Sequence, residues 1–489
     1  MLTEGRNTEA AILAQAMTVH FPTHWFGWKV LGALLKKMGR DADAVASMQK
    51  AAELNPGDFE VQNNLGISLH GLSRLDEAES SYRRALQINP DYVKAHYNLG
   101  VTLQALGRLD EADASYRRAL QINPNYAEAH FNLGVILQQL GRLDEAEASY
   151  RRALYLNPNY WEMHYNLGVT LQKQRRLDEA EVSYRRALQI NLDHAPAHSN
   201  LGSILKQSGR PEEGIVHFKQ ALSLDPTLDE ARIGLPQALY ALSLIDPEKA
   251  KHLASRARQQ FVGDPIILRG IAGILGDTNV SKDDALYSKK LFDAFAPTFE
   301  STLENIKYTI PKALADELGV GIAIASRNLE VLDAGCGTGL CGIYLKPVAR
   351  NLVGVDLSAE MLRLAREKNI YDALYEDNII DFCKKNRGAF DLIVLADVLI
   401  YVGDIQKLLG SISFALRQNG TVALSAECMT DNRSSELFSL HPSGRYQHSI
   451  EYLRRILQDA GFTVNKIVPC TLREEYGGSA EGWIVIAKL

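Results

Sequence analysis

The sequence predicts a fold in two parts, an all-α array of helical repeats followed by an α/β domain with a mostly parallel sheet. The first observation is that Asn-Leu-Gly recurs at a constant step of 34 residues, with its asparagine at positions 64, 98, 132, 166 and 200. The second is the segment LEVLDAGCGTGL from Leu329, followed by an intervening helix and by NLVGVDLS, which contains Asp356. A buried strand, a glycine loop, a helix and a strand ending in an acid are typical of a nucleoside-binding sheet.

The step of 34 residues is the tetratricopeptide period, and the first part is identified as a member of that repeat family. Small residues at fixed places let paired helices approach, and prolines end each second helix before the next unit. The residues that keep the step include Ala78, Ala112, Ala146 and Ala180, Tyr82, Tyr116, Tyr150 and Tyr184, and Pro56, Pro90, Pro124 and Pro158. We predict a superhelix over residues 1–262, with a half repeat at 1–24, full repeats over about 25–228 and a degenerate cap at 229–262.

Residues 263–284 are predicted to connect the two parts, because glycines recur there without the repeat pattern. These glycines are Gly263, Gly270, Gly273 and Gly276. The α/β domain is then expected over residues 285–489.

One asparagine per repeat is predicted to line the concave face of the array, since each lies on the first helix of its unit. The series is Asn64, Asn98, Asn132, Asn166 and Asn200. An amide offers a donor and an acceptor, the two groups that a peptide backbone also presents. The array is similar to that of O-GlcNAc transferase, where such a ladder holds an extended peptide, so a protein or peptide is the expected partner. The alternative, that these side chains bond only locally, stays open.

The glycine loop distinguishes between two nucleoside cofactors. Gly335, Gly337 and Gly339 follow the pattern G-x-G-x-G, whereas a dinucleotide fingerprint requires G-x-G-x-x-G. Asp333 stands two residues before the loop, where its charge suits a cation better than a pyrophosphate. Asp356 can accept hydrogen bonds from both ribose hydroxyls. The stretch resembles the first two motifs of class I S-adenosylmethionine-dependent methyltransferases.

This resemblance implies a Rossmann-like sheet of seven strands and a methyl transfer that leaves S-adenosylhomocysteine. In such enzymes an acid after the third strand meets the adenine amino group, and Asp377 is the better placed candidate here. The residues expected around the cofactor are Asp333, Gly335, Cys336, Gly337, Gly339, Asp356, Leu357, Asp377, Asn378 and Ala396.

The opening of the α/β domain, LFDAFAPTF, carries three phenylalanines at helical spacing. It resembles the opening of bacterial methyltransferases that carry N-terminal repeats. Two interpretations remain: the rings form core, or one of them, Phe295, covers the adenosine as a lid.

Candidate residues for the acceptor follow the fourth strand and lie in HPSGRYQHS. Asp397 is expected near the carboxyl end of that strand, where ligands lie in open sheets. We predict Asp397, Tyr446 and His448 as catalytic residues and Arg445 as a substrate-binding residue. Two roles are open for His448, a general base or the cap of the helix that Ser449 starts.

Composition restricts the partners. The net charge of −6 gives no reason to expect nucleic acid, and no apolar run is long enough for a membrane span. The histidines that keep the repeat step are too far apart to share a metal ion, so no metal site is predicted. The cysteines form no disulfide framework, which favours the cytoplasm.

We therefore expect a methyltransferase whose repeats recruit a protein or peptide. Two alternatives are a small-molecule or glycan methyltransferase whose repeats form a homodimer or dock a partner, and a scaffold that binds S-adenosylmethionine without turnover.

Overall fold

The computed structural model describes residues 2–277, 284–319, 328–429, 437–475 and 478–489. The chain divides into two compact units, Met1–Ile204 and Leu205–Leu489. No helix within the described ranges is both long and apolar enough to cross a bilayer.

The first unit is built of antiparallel helix pairs. Its helices are α1 (Leu2–His20), α2 (Trp25–Lys37), α3 (Asp41–Leu54), α4 (Phe59–Gly71), α5 (Leu75–Ile88), α6 (Val93–Ala105), α7 (Leu109–Ile122), α8 (Ala127–Gln139), α9 (Leu143–Leu156), α10 (Trp161–Lys173), α11 (Leu177–Ile190) and α12 (Ala195–Gln207). The glycines at 66, 100, 134 and 168 explain the close pairing, because a Cβ there would collide with a tyrosine ring: on Gly100 it would lie 2.7 Å from Cε1 of Tyr116. The buried Tyr116 hydroxyl donates a hydrogen bond to Gln104 at 3.2 Å, which satisfies its polar end.

Ion pairs between successive repeats set their register. Arg108 pairs with Glu79 of the preceding repeat at 2.8 Å and with Glu111 of its own at 2.6 Å. Arg142 repeats the arrangement with Asp113 and Glu145. The repeated RLDEAE therefore forms a solvated chain of charges along the array.

The second unit begins with four helices that share one core: α13 (Pro211–Leu224), α14 (Asp229–Ser243), α15 (Pro247–Gln260) and α16 (Pro265–Leu275). The connector prediction for residues 263–284 is wrong over α16. Asp264 caps this helix by accepting from Ile266 N and Ile267 N. Its glycines serve close packing instead of flexibility, since a Cβ on Gly270 would meet Pro236 at 2.6 Å. Residues 278–283 of the predicted connector lie outside the described ranges.

The remaining elements form the α/β domain. Its helices are α17 (Asp284–Phe295), α18 (Phe299–Asn305), α19 (Ile310–Leu318), α20 (Gly342–Leu345), α21 (Ala359–Glu367), α22 (Ile379–Lys385), α23 (Gln406–Ala415) and α24 (Ile450–Asp459). Its strands are β1 (Leu329–Ala334), β2 (Ala349–Asp356), β3 (Ala373–Glu376), β4 (Phe390–Leu395), β5 (Leu416–Glu427), β6 (Phe438–Leu440), β7 (Tyr446–His448), β8 (Thr463–Glu475) and β9 (Gly478–Lys488).

Within the described residues, seven strands form one sheet in the order β3-β2-β1-β4-β5-β9-β8. β1 to β5 are parallel, and β9 runs antiparallel to both β5 and β8. Apolar clusters cover both faces, which is why the central strands are apolar throughout. β6 and β7 form a separate hairpin. The predicted fold class, helical repeats followed by a mostly parallel seven-stranded sheet, is confirmed.

Candidate functional site

The glycine loop after β1 has the backbone that its sequence predicts. Gly335, Gly337 and Gly339 have φ angles of 79°, 54° and 89°, which side chains other than glycine rarely adopt. A Cβ on Gly335 would also lie 2.5 Å from Val398, and one on Gly339 would lie 2.9 Å from Tyr371. The loop is therefore a tight turn that requires glycine at these positions.

Asp356 at the end of β2 is held by the loop itself. Its Oδ2 accepts from Gly337 N at 2.9 Å, and its Oδ1 accepts from Ser358 N at 2.9 Å. Burial raises the pKa of Asp356, and these backbone N–H groups act against that shift. Asp293 of α17 joins the group, because its carboxylate accepts from the Ser358 hydroxyl at 2.6 Å. Both oxygens of Asp356 are thus engaged by the backbone, and the carboxylate retains acceptor capacity for a hydroxyl-bearing ligand.

Asp333 is the most deeply buried acid of the loop region, with 1% of its surface exposed. Its Oδ2 accepts from the Tyr371 hydroxyl at 2.6 Å, and its Oδ1 has no hydrogen-bond partner among the described residues. Burial raises the pKa of Asp333 to about 7, and the charge of Asp356 adds to the rise. A cation beside this oxygen would compensate the buried charge.

The adenine-side candidates lie next to Asp356. Asp377 N donates to the Asp356 carbonyl at 3.2 Å, but the Asp377 carboxylate is paired with Lys385 at 2.7 Å, which lowers its pKa. Asn378 caps α22 by accepting from Ile380 N at 2.9 Å, so its side-chain oxygen is already engaged.

The other three cofactor candidates differ in exposure. Burial raises the pKa of the Cys336 thiol well above its usual value. Leu357 is half-buried, and Ala396 packs on the cluster between α19 and the sheet.

Of the phenylalanines at the opening of the α/β domain, Phe299 lies beside the loop, and Phe295 does not. Cε1 of Phe299 lies 3.9 Å from the place that a Cβ on Gly337 would take. Phe292 contacts Phe299 edge to face at 6.1 Å between centroids. Phe295 packs instead on a cluster with Ile233, Ile266, Tyr287 and Leu291. The lid interpretation of Phe295 is therefore not supported, and its core interpretation is.

Asp397 follows β4 and is held in the left-handed backbone region, with φ 54°. Its N–H donates to Ser425 Oγ at 2.8 Å, and Ser425 donates back to Oδ1 at 2.9 Å. Arg473 lies 3.7 Å from Oδ2 and forms a close ion pair with Glu427. Arg473 and Glu427 are 3% and 4% exposed, so this is a buried charge network. A backbone held in the left-handed region at a residue other than glycine, here at the end of a central strand, is typical of a functional site.

Two tyrosines and Arg445 surround Asp397. Burial raises the pKa of Tyr308 and of Tyr401, and the charge of Asp397 adds to both. Arg445 hydrogen-bonds to Tyr401 and is close enough to Asp397 to lower its pKa. The structure therefore brings together two of the predicted acceptor-side residues, Asp397 and Arg445.

His448 is placed differently from both predicted roles. It is 0% exposed, and its Nε2 lies 3.0 Å from the carbonyl oxygens of Val402 and Gly403. Donation to a carbonyl assigns the proton to Nε2, and burial lowers the pKa to about 4. So weak a base in a closed environment does not support general base catalysis at neutral pH. The capping role is wrong as well, because Ser449 caps α24 by accepting from Tyr452 N.

Tyr446 is a packing residue in this structure. It is 1% exposed, and its ring lies 4.8 Å from the guanidinium carbon of Arg269 in α16. Arg269 lies over Tyr287 on its other side, at 5.2 Å. The side chain of Tyr446 thus anchors the β6–β7 hairpin to the helices before the sheet, and no role in catalysis is supported.

The asparagine series of the array is partly engaged between repeats. Asn132 donates from Nδ2 to the Tyr97 hydroxyl at 3.1 Å, and Asn98 donates to Asn63 at 3.0 Å. Asn200 reaches Tyr165 at 3.4 Å, whereas Asn166 donates to the carbonyl of Glu162 in its own helix at 2.8 Å. Asn166 thus bonds locally, whereas the other three donate to the preceding repeat, and Asn64 Oδ1 accepts from Asn63 at 3.4 Å.

Several residues of the site carry no sequence signal. Tyr371 lies between α21 and β3, and Asp293 and Arg473 come from opposite ends of the domain. The spacing of Phe292, Phe295 and Phe299 indicated that one of these rings could lie at the site. It did not indicate which of the three does so. Among the described residues, no group of histidine, cysteine or acidic side chains is arranged to hold a metal ion.

Fold and loop together define a methyltransferase domain that follows tetratricopeptide repeats. Residues 302–467 match a family described as a methyltransferase domain. Tetratricopeptide repeat families match residues 30–58, 69–107, 103–141, 127–160, 161–194 and 195–228. The predicted combination of the two families is confirmed.

Curated relatives cover only part of the chain. It is 29% identical to phosphoethanolamine N-methyltransferase 1 of Zea mays over 34% of this chain and 38% of the relative. It is 32% identical to a malonyl-[acyl-carrier protein] O-methyltransferase of Pectobacterium atrosepticum over 23% of this chain and 44% of the relative. A ubiquinone biosynthesis O-methyltransferase of Xanthomonas campestris pv. campestris is 27% identical over 28% of this chain and 56% of the relative. The chain thus spans about two fifths to just over half the length of these relatives.

Solved structures with similar folds include YrrB, described as a TPR protein with an unusual peptide-binding site. It is 24% identical, covers 38% of this chain and 96% of its own, and has a TM-score of 0.36. A structure of MamA is 24% identical, covers 33% and 95%, and has a TM-score of 0.32.

Proposed function

We propose that the protein transfers a methyl group from S-adenosylmethionine to a protein or peptide recruited by its repeats. The observation that carries the proposal is the pair of acids at the glycine loop. Asp356 is held by backbone N–H groups with acceptor capacity left for a hydroxyl, and Asp333 keeps an oxygen with no partner among the described residues. A nucleoside joined to a cationic amino-acid tail has both groups that these acids would bind.

The residues present fit S-adenosylmethionine. Asp356 would bind the ribose hydroxyls and Asp333 the cationic end, while Phe299 would lie beside the loop and exclude water. When bound, S-adenosylmethionine supplies an electrophilic methyl group: the acceptor lone pair bonds to its carbon, and the carbon–sulfur electron pair stays on sulfur. The chain contributes alignment of the acceptor and, at Asp397, a carboxylate that can take the acceptor's proton.

A protein or peptide acceptor is supported by the array. The residues directly before the asparagines of three repeats are half-buried aromatic rings, Tyr97, Phe131 and Tyr165, beside which an extended peptide would bind. The ring centroids of Tyr97 and Tyr126 lie 4.8 Å apart with the rings tilted by 36°. The two rings therefore support each other and offer an ordered surface to apolar side chains.

A second candidate is a small-molecule acceptor, with repeats that dimerise or dock a partner. It is favoured by the relatives, whose names include phosphoethanolamine and ubiquinone biosynthesis methyltransferases. A cytoplasmic location also remains our proposal; the five cysteines are free thiols, as in a reducing compartment.

Calorimetry with S-adenosylmethionine and S-adenosylhomocysteine tests the cofactor assignment. Each charge-assisted hydrogen bond from the ribose is worth about 1.5–3 kcal/mol, so Asp356→Ala should weaken binding at least ~10-fold. Asp459→Ala, at the exposed end of α24, is the matched control and should bind as the unaltered chain does. Equal affinity in both variants would contradict the assignment. A chain that binds the cofactor but never transfers the methyl group would be a scaffold and not an enzyme.

A further inference from the structure

A guanidinium from the last part of the chain lies between two acids at the acceptor side of the site. Arg473 of β8 reaches Glu427 at the end of β5 and Asp397 after β4. Gln447 donates to the other oxygen of Glu427 at 3.0 Å, and Ser425 holds Oδ1 of Asp397 at 2.9 Å. Both oxygens of Glu427 are therefore bonded, Oδ2 of Asp397 faces Arg473 at the longer distance of 3.7 Å, and one buried positive charge lies between the two carboxylates.

We propose that Arg473 is a positioning residue for methyl transfer: it divides its charge between Glu427 and Asp397 and so keeps Asp397 an oriented, ionised acceptor of the substrate proton. This inference rests on the proposed function. In the step concerned, the acceptor O–H or N–H bond breaks, the proton bonds to the free side of the Asp397 carboxylate, and it then passes to water. The bond electrons stay with the acceptor atom.

Arg473 does not interact equally with the two carboxylates. Arg473 is in close contact with Glu427 and farther from Asp397, at 3.7 Å, so Glu427 takes most of its charge. Glu427 would remain neutralised, and the Asp397 side chain, 16% exposed against 5% for the Glu427 side chain, is the more accessible of the two carboxylates. Burial raises the pKa of Asp397, and Arg473 is the largest influence that lowers it.

The charged and titratable groups that face Asp397 come from every element around it. They are Arg473, Glu427, Arg445, Tyr308, Tyr401, Cys341 and Cys470. Arg445 and Arg473 favour the ionised carboxylate, and Glu427 opposes it. Burial raises the pKa values of both tyrosines and both thiols, so these four groups are neutral near pH 7.

Two variants of the full chain make opposite predictions. Glu427→Gln keeps the shape of the side chain and leaves the whole charge of Arg473 to Asp397, so Asp397 should titrate at lower pH. The double variant Glu427→Gln/Arg473→Met removes one charge of each sign and leaves Asp397 without that cation, so it should titrate at higher pH. The double variant is preferred to Arg473→Met alone, which would leave a buried carboxylate unpaired and destabilise the fold. Each shift should be about one pH unit.

The titration is measured by carboxyl ¹³C NMR of aspartate-labelled full chain with S-adenosylhomocysteine present, and the Asp397 signal is assigned with Asp397→Asn. The rate of methyl transfer from labelled S-adenosylmethionine is also measured as a function of pH, and its fall at low pH should shift in the same way. Each variant rate is divided by the rate of the unaltered chain at the same pH, so that ionisation of the acceptor itself cancels. Arg417→Gln is the control, since Arg417 is paired with the acid Asp391 at 2.8 Å on an exposed part of β5. It should leave the Asp397 titration unchanged.

Shifts of opposite sign in the two variants support the proposal. Shifts of the same sign, or none, overturn it, because Arg473 would then serve only the packing of β8. The proposed function fails separately, through absence of cofactor binding in calorimetry or of labelled product, and neither of these depends on the Asp397 titration.

Discussion

Asp333 shows at the scale of one residue how burial and function conflict. Its carboxylate is almost completely removed from water, with one oxygen bonded to Tyr371 and the other without a partner in the described part of the chain. Such a group is costly to ionise, which is why its pKa is raised to about 7. Binding of a cation would favour the ionised form and release the proton.

Cofactor affinity should therefore depend on pH through Asp333. As pH falls below about 7, more of the free protein holds the proton, and affinity should fall toward ~10-fold per pH unit. Calorimetry over a series of pH values measures this dependence of affinity on pH. Calorimetry at pH 7 in buffers of different ionisation enthalpy should show that binding releases about half a proton. Asp333→Asn should bind more weakly with a flat profile; an unchanged slope in that variant would show that another group titrates.

Local sequence predicted Asp356 and the three loop glycines, because strand, turn and acid lie within one short segment. Phe299, Tyr371 and Arg473 could not be predicted, since each reaches the site only through the tertiary fold. The structure does not support His448 and Tyr446 as catalytic residues, for a related reason. A histidine and a tyrosine in a short loop look available, but Arg269 and two backbone carbonyls hold them inside.

At the scale of elements, the repeats were predictable because each unit meets only its neighbours. The period alone placed the helix pairs, and Gly100 against Tyr116 shows why one position accepts only glycine. The use of the asparagine amides was not predictable from the period. Three of the bonds that these amides donate reach partners 35 residues back and so link successive repeats, whereas Asn200 also donates to Tyr184 and Asn166 bonds within its own helix.

Asn132 and Asn166 form a matched pair for testing that double role. Asn132→Ala removes a hydrogen bond to Tyr97 of the preceding repeat and should lower stability by about 0.5–1.5 kcal/mol. Asn166→Ala loses only a bond within its own helix and should change stability less. Urea unfolding followed by far-UV circular dichroism compares their midpoints. An unaltered midpoint in Asn132→Ala would show that its amide does not stabilise the array.

At the scale of the whole molecule, the four helices α13–α16 share one compact unit with the sheet. Arg269 of α16 is 1% exposed between Tyr287 and Tyr446, and Ile266 packs in one cluster with Tyr287 and Leu291. The sequence suggested a boundary near residue 262 because the degenerate cap gives way there to a glycine-containing segment, although packing continues across that point.

Truncation tests this organisation. Removal of residues 1–204 should leave a folded unit that binds S-adenosylmethionine as the full chain does, since its core is retained. Removal of residues 1–262 strips α16 of its partners and exposes Ile267 and Ile271, so melting should occur at least about 5 °C lower. Thermal unfolding with and without cofactor compares the two pieces. Equal melting temperatures would mean that α13–α15 are dispensable for the domain.

The central claim, methyl transfer to a protein that the repeats recruit, is tested most directly by following the label. A cell lysate is incubated with methyl-labelled S-adenosylmethionine and the full chain, its Asp356→Ala variant or the piece without residues 1–204, and mass spectrometry separates protein from small-molecule products. We predict label in a protein with the full chain, little with Asp356→Ala, and a loss with the piece through weaker acceptor binding. Label in small molecules, equal for the full chain and the piece, would contradict the claim.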